Sequence, residues 1–250
     1  LGWWLVAVGG SVGQFLALPY THALIEGFGW VTALIILAAT TLLIVPLAFG
    51  LVGKRSSEVE EGPQNLSSAL LHACRTPSFW LLTLGFFVCG FHLAFVAVHL
   101  PAYLADKAFA PWLATAALTT IGVSNIVGVY CCGYLGDNFP KKNVLSVLYL
   151  ARAGIFLLFL ITPLSEFSVL VFAALIGFLW LGTVPLTSGL VGSVFGVTYL
   201  SMLFGIVFLG HQIGGFLGAW LGGVAFDALG SYASMWWISV GLGAFSAVVH

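Results

Sequence analysis

The sequence predicts an all-α, polytopic membrane protein of about eight transmembrane helices, and three observations carry that reading. Hydrophobic residues make up 61% of the 250 and charged residues 6%, with a mean hydropathy of +1.13. The apolar residues fall in runs of about 20, the number a helix needs at 1.5 Å per residue to cross a hydrocarbon core about 30 Å thick. The few charges sit mostly in short breaks between those runs. A soluble domain carries about 25% charged residues to wet its surface; 7 basic and 8 acidic residues cannot cover this chain in any fold. The bilayer is the solvent that suits it.

Cutting at charges, Gly/Pro clusters and polar turns gives eight spans: 1–23, 30–51, 79–104, 112–135, 143–161, 167–191, 199–225 and 233–249. The breaks are short, at Glu26-Gly27, Asp106-Lys107, 137–142, Ser165-Glu166 and 227–231. The exception is 53–76, which carries Lys54, Arg55, Glu58, Glu60 and Glu61 and then an amphipathic piece around 66–73. It reads as a long soluble loop. Leu1 is not a methionine, and the chain opens inside an apolar stretch with no Lys/Arg-rich region ahead of it, so that stretch is not a secretory signal peptide. The expectation is a chain truncated at its N-terminus.

Orientation follows from Lys and Arg. With spans alternating sides, Lys54, Arg55, Arg75, Lys141 and Lys142 share one face and Lys107 alone lies on the other. This puts the 53–76 loop, the 137–142 turn and the C-terminal end in the cytoplasm. A net charge of -1 without a basic patch gives no nucleic-acid partner. Cys74, Cys89, Cys131 and Cys132 form no disulfide framework and read as small buried hydrophobes.

Polar side chains at bilayer depth are costly and face the bundle interior or a watered path. Arg152 is the one charge deep in a span. It either attracts an anionic solute or bonds helix-end carbonyls or another structural partner. His92 and His99 are seven residues apart, two helical turns, so they share a face that Tyr103 continues. At about 10 Å apart along the axis they are too far to share a metal. They read either as bonds between helices or as a cavity wall able to hold an anion or a proton. His211 sits mid-span beside Gly210, Gly214, Gly218 and Gly222, a stripe that admits a second helix closely. Gln212 points one step further round, Asn125 is the other strong polar group, and Gln14 is a weaker one. Pro185 breaks the sixth span and frees the Leu181 carbonyl, with Thr183, Thr187 and Ser188 at hand to satisfy the backbone.

Gly133 and Gly136 allow a tight exit from the fourth span, where Asp137 can accept from N–H groups at a neighbouring helix N-terminus. Lys141 and Lys142 follow at the surface. The turn reads either as a conformational clasp or as a solvated turn.

The run Gly133-Tyr134-Leu135-Gly136-Asp137 with Lys141-Lys142 resembles the Gly-x-Leu-x-Asp-x-x-x-Arg/Lys signature of the major facilitator superfamily, between its helices eight and nine. Phe91-His92, His99 to Leu104, Tyr149 to Ala153, Leu181 to Gly189 and Gly205 to Gln212 are similar to a bacterial branch related to monocarboxylate and oxalate/formate porters. The resemblance implies that 1–52 are the last two helices of an N-terminal bundle, 53–76 the central loop and 77–250 a six-helix bundle. It also implies secondary transport of a small solute, with an organic anion such as a monocarboxylate among the candidates, by alternating access in a bacterial inner membrane. A coupling proton or a counter-substrate would drive it.

The resemblance puts His211 on the cavity-lining eleventh helix as a cationic anchor, together with Asn125, His92, His99, Gln212, Thr183 and Thr187, and Arg152 on a helix usually peripheral to the cavity. Gly133, Gly136, Asp137, Lys141 and Lys142 become gating residues. The sequence departs from the monocarboxylate pattern where those porters carry Asp and, four residues on, Arg: it reads Asn125 and Val129. A membrane-embedded enzyme would need an H-E-x-x-H or G-x-S-x-G element, which is missing. No feature points to a cofactor or a metal. A non-transporting or regulatory fragment is the other reading.

Overall fold

The computed structural model describes residues 2–49 and 66–250. The charged residues Lys54 to Glu61 and the side chain of Gln14 lie outside the described residues. Ten helices, α1 to α10, make up the described chain, with no strand among them: Gly2–Leu42, Ile44–Phe49, Leu66–Arg75, Pro77–Asp106, Pro111–Asn138, Lys141–Ile161, Glu166–Phe178, Thr183–Phe195, Leu200–Leu229 and Ala233–Val249.

Local chemistry explains the boundaries. Pro77 and Pro111 open α4 and α5, where a missing N–H costs nothing. Ser165 and Ser168 cap α7 reciprocally. Gly230, left-handed at φ 63°, ends α9. Within α1, Gly29 stands at φ 75°, ψ 164°, a conformation that suits glycine alone. It reverses the chain: Tyr20 Oη and Thr40 Oγ1 are 3.3 Å apart, whereas 20 residues of continuous helix would separate them by about 30 Å.

Six segments among the described residues are long and apolar enough to cross a membrane, and Ala233–Val249 is a shorter apolar helix. One of the six, Leu16–Pro46, contains the Gly29 reversal and so holds two helical arms; with the shorter helix, the described residues offer eight apolar segments where the sequence predicts eight spans. The protein is an integral membrane protein. Large apolar side chains such as Trp30, Ile35, Phe167 and Val197 are exposed around it, as lipid contact requires and water would not tolerate.

Packing is tightest between α4 and α9, with α6 on α10, and α5 on both α7 and α1. The glycine stripe seats α9 as the sequence suggests. A Cβ on Gly214 or Gly218 would stand 2.0 Å from the Phe87 carbonyl oxygen or 2.4 Å from that of Phe91. Gly90 of α4 returns the fit, its missing Cβ facing the His211 carbonyl. Two cores result. One centres on Trp236, whose ring meets Phe95 at 4.8 Å and Phe159 at 5.1 Å. The other gathers Phe79, Phe86, Cys89, Tyr149 and Val207.

Candidate functional site

The sixth pass is broken, as Pro185 predicts, but the repair is not local. Helix α7 stops at Phe178 and α8 begins at Thr183. Across this break Leu179 and Trp180 turn their N–H groups back on Ile176 and Gly177. Their own carbonyls find a donor outside the element: Arg152 Nη2 of α6 donates to the Leu179 carbonyl and, at 2.6 Å, to that of Trp180. Asn125 of α5 accepts the Leu181 N–H at 2.9 Å. Leu181's carbonyl takes the Val184 N–H at 3.1 Å. Ser188 bonds the Pro185 carbonyl at 3.2 Å, and the buried Thr187 hydroxyl has no partner among the described residues. Of Thr183, Thr187 and Ser188, expected to satisfy the broken backbone, Ser188 alone bonds one of its carbonyls; Arg152 and Asn125 of two neighbouring helices meet the groups of 179–181. A guanidinium reaches two carbonyls with a fixed fork, and its charge meets the negative end of the α7 dipole.

This settles the geometry of Arg152, which is 1% exposed. Its guanidinium bonds helix-end carbonyls, and Arg152 lies at the centre of the polar cluster rather than apart from it. Its guanidinium also sits 5.4 Å above the Tyr149 ring, and that ring stacks on His250 at 5.1 Å.

Around this cation the structure gathers several of the sequence candidates. Thr183 is buried, with its hydroxyl 3.1 Å from Cys89 Sγ. His211, half-buried on α9, has its ring stacked on Phe208 at 5.2 Å and against Phe86 at 4.7 Å. Its Nδ1 lies 3.1 Å from Oε1 of the exposed Gln212, and its imidazole neighbours the Cys89 thiol. Cys89, read from sequence as a plain buried hydrophobe, is thus a polar member of the cluster. Only its contact across 94 residues reveals this.

The other histidines tie helices together. His92 Nε2 donates to the Ser239 carbonyl of α10 at 2.9 Å, its ring against Phe156. His99 Nε2 donates to the Ala219 carbonyl of α9 at 2.7 Å, its ring filling the notch at Gly222. Both are buried, and the inter-helix reading describes their contacts. Asn125→Leu is expected to cost about 1–3 kcal/mol by orphaning the part-buried Leu181 N–H. Asn125→Asp, which keeps the acceptor, should lose less; thermal melts of the detergent-purified protein compare them.

At the opposite end of α5 the expected clasp is not made. Asp137 is exposed and has neither an ion pair nor a hydrogen bond among the described residues. Gly136 is buried against Leu186, and the Lys141 stem crosses α8 at Gly189. Gly136, Asp137 and Lys141 line, with Gly133, Ser188 and Gly192, a cavity of about 310 Å³. Lys142 is exposed beside it. Among the described residues no group of three or more His, Cys, Asp or Glu is placed to hold a metal.

Comparison with known proteins agrees with this architecture. The family model of the Major Facilitator Superfamily matches residues 3–196, well over half of the chain. Monocarboxylate transporter 13 of Rattus norvegicus is 26% identical over 239 residues, covering 92% of this chain and 54% of that protein. The uncharacterized MFS-type transporter YcxA of Bacillus subtilis is 25% identical over 258 residues, covering 96% and 60%. The uncharacterized MFS-type transporter YhjX of Escherichia coli is 24% identical over 197 residues, covering 76% and 48%. The chain therefore spans about half the length of the curated relatives it matches. Eight apolar segments, a broken helix at a buried polar cluster and the family match lead to one statement: this chain belongs to the Major Facilitator Superfamily, a family of membrane transporters.

Proposed function

We propose that the chain takes part in secondary active transport of a small organic anion, a monocarboxylate being the first to test, by alternating access. One observation carries this reading: Arg152 is the one charged side chain buried among the described residues. The bundle interior therefore has a positive field with no carboxylate to cancel it, which favours an anion over a cation. The names of the monocarboxylate transporters among the relatives support the same class. The open side of the cluster is His211, half-buried, with Gln212 exposed beside it. These two form the contact face for the solute, and Arg152, Asn125, Thr183, Thr187, His92 and His99 hold the interior behind them.

In this reading 77–250 form one bundle, 1–52 belong to its partner bundle, and 53–76 join them on the cytoplasmic side of a bacterial inner membrane. Gly133, Gly136, Asp137, Lys141 and Lys142 form a cytoplasmic gate that is open in this conformation, its clasp unmade. A proton or a counter-substrate supplies the drive, since the sequence carries no nucleotide-binding pattern.

The test is uptake of labelled lactate by the complete protein in proteoliposomes, with glucose as a neutral comparison. His211→Ala should reduce lactate uptake on the order of tenfold, the size of one lost charged hydrogen bond. Insertion should be unchanged, because one imidazole does not alter the apolar span. Unchanged lactate uptake across about pH 5 to 8, the range in which histidine titrates, would remove His211 from the mechanism. A preference for neutral or cationic solutes would overturn the anion reading.

A further inference from the structure

A groove of about 440 Å³ runs between α5, α6 and the end of α7. Its α6 wall is Val144, Val147, Leu148 and Ala151, the i, i+3, i+4, i+7 set that shares one face of a helix. Val147 and Ala151 are exposed, as are Phe139 of α5 and Phe178 of α7 on the facing walls. Asn143 is the one amide side chain in the lining and stands at the end nearest the start of α6.

Depth and charge fix what fits there. From Asn143 to Ala151 the helix rises about 12 Å at 1.5 Å per residue, close to half of a hydrocarbon core about 30 Å thick. The groove thus reaches from the start of α6 towards the middle of the bilayer, where it ends on Leu179, the first residue after α7. Gly182 of the same break lies against Cys132 and Leu148 of the groove wall, with no room for a Cβ. Arg152 and Asn125 satisfy polar groups of the break from within, so an apolar chain packs against its outer side without stranding them. At the other end Lys141 and Lys142 immediately precede Asn143, where the helix dipole also favours an anion. Their stems border two neighbouring cavities, which keeps both ammonium groups near the mouth. Asp137, the acidic residue nearest in sequence, lines the cavity towards α8.

We propose that the groove is a site for an anionic phospholipid. One acyl chain lies along Val144, Val147 and Ala151 down to Leu179, and the phosphate rests at Asn143 beside the two lysines. The lipid comes from the leaflet in which those lysines lie. Its chain packs on the outer side of the α7–α8 break, so the bilayer braces the element that Arg152 holds from within. The inference stands on the chain's place in the membrane and is independent of the solute.

The test uses the complete protein, one copy per nanodisc, in phosphatidylcholine with a trace of phosphatidylglycerol that carries a photoactivatable diazirine near the end of one chain. After irradiation, peptide mass spectrometry should find the label concentrated on 147–151 and 178–179 over Ile238 and Phe245, exposed apolar residues of α10. The same diazirine on phosphatidylcholine should label the groove less. Lys142→Gln should lower the preference for the anionic lipid about fivefold, the effect of one lysine beside a charged headgroup. Ala151→Trp, which fills the groove from an exposed position, should abolish the enrichment, and Val147→Trp serves if that variant fails to fold. Equal labelling of the groove and the α10 surface would overturn the proposal, as would equal use of the two lipids. Labelling of the groove below that of α10 would give the groove to a protein partner and overturn it too. The readout involves no transport, so a failure of lactate uptake leaves it to stand or fall by itself.

Discussion

Arg152→Met is expected to lower the stability of the detergent-purified protein by on the order of 2 kcal/mol or more. The substitution leaves the Leu179 and Trp180 carbonyls buried without a donor, and each orphaned acceptor costs about 1–3 kcal/mol. Relief from burying the guanidinium offsets part of that loss, as it does when buried ion pairs are replaced by apolar groups. Arg152→Lys should recover only a fraction, because an ammonium keeps the charge at the helix end but lacks the planar fork. Thermal unfolding followed by size-exclusion chromatography ranks the three proteins. A methionine variant as stable as the parent would mean that water satisfies the break.

Gly218→Leu is expected to prevent assembly of the bundle. The new Cβ alone would stand 2.4 Å from the Phe91 carbonyl oxygen, and backbone cannot swing aside as a side-chain tip can. Parting α4 from α9 would also pull His211 away from Cys89, because Gly90 and Gly214 set that spacing. Overpacking costs about 1–3 kcal/mol where a core can adjust, and here the obstacle is a helix backbone. Gly223→Leu on the same helix is the control, since nothing lies within 4 Å of its added Cβ. The expected readout is a loss of the monodisperse peak for Gly218→Leu and its retention for Gly223→Leu. Equal behaviour of the two would show that α4 and α9 do not pack as described.

Much of the architecture was legible along the chain because a bilayer punishes exposed polarity over a length of about 20 residues. That constraint is local, so apolar runs and their charged breaks locate the passes without any knowledge of neighbours. The predicted spans 79–104 and 143–161 fall within α4 (Pro77–Asp106) and α6 (Lys141–Ile161). The stripe from Gly210 to Gly222 likewise announced a close helix contact, since its spacing of four keeps the missing side chains on one face. Pro185 marked the break because its ring cannot accept the preceding turn.

The partners across the bundle were not legible in this way. Nothing near Cys89 in sequence distinguishes it from an apolar filler; the hydroxyl beside it belongs to Thr183. Arg152 allowed two readings until the ends of α7 and α8 were placed against it. His92 and His99 share a face, as helical spacing requires, yet their acceptors Ser239 and Ala219 come from different helices. Asp137 stands in a motif that suggests a clasp, and the clasp is unmade. Membrane insertion and the number of passes follow from transfer energies summed along single segments. The pairing of polar groups depends instead on how helices far apart in sequence rotate and approach one another, so only the tertiary structure decided which donor meets which acceptor.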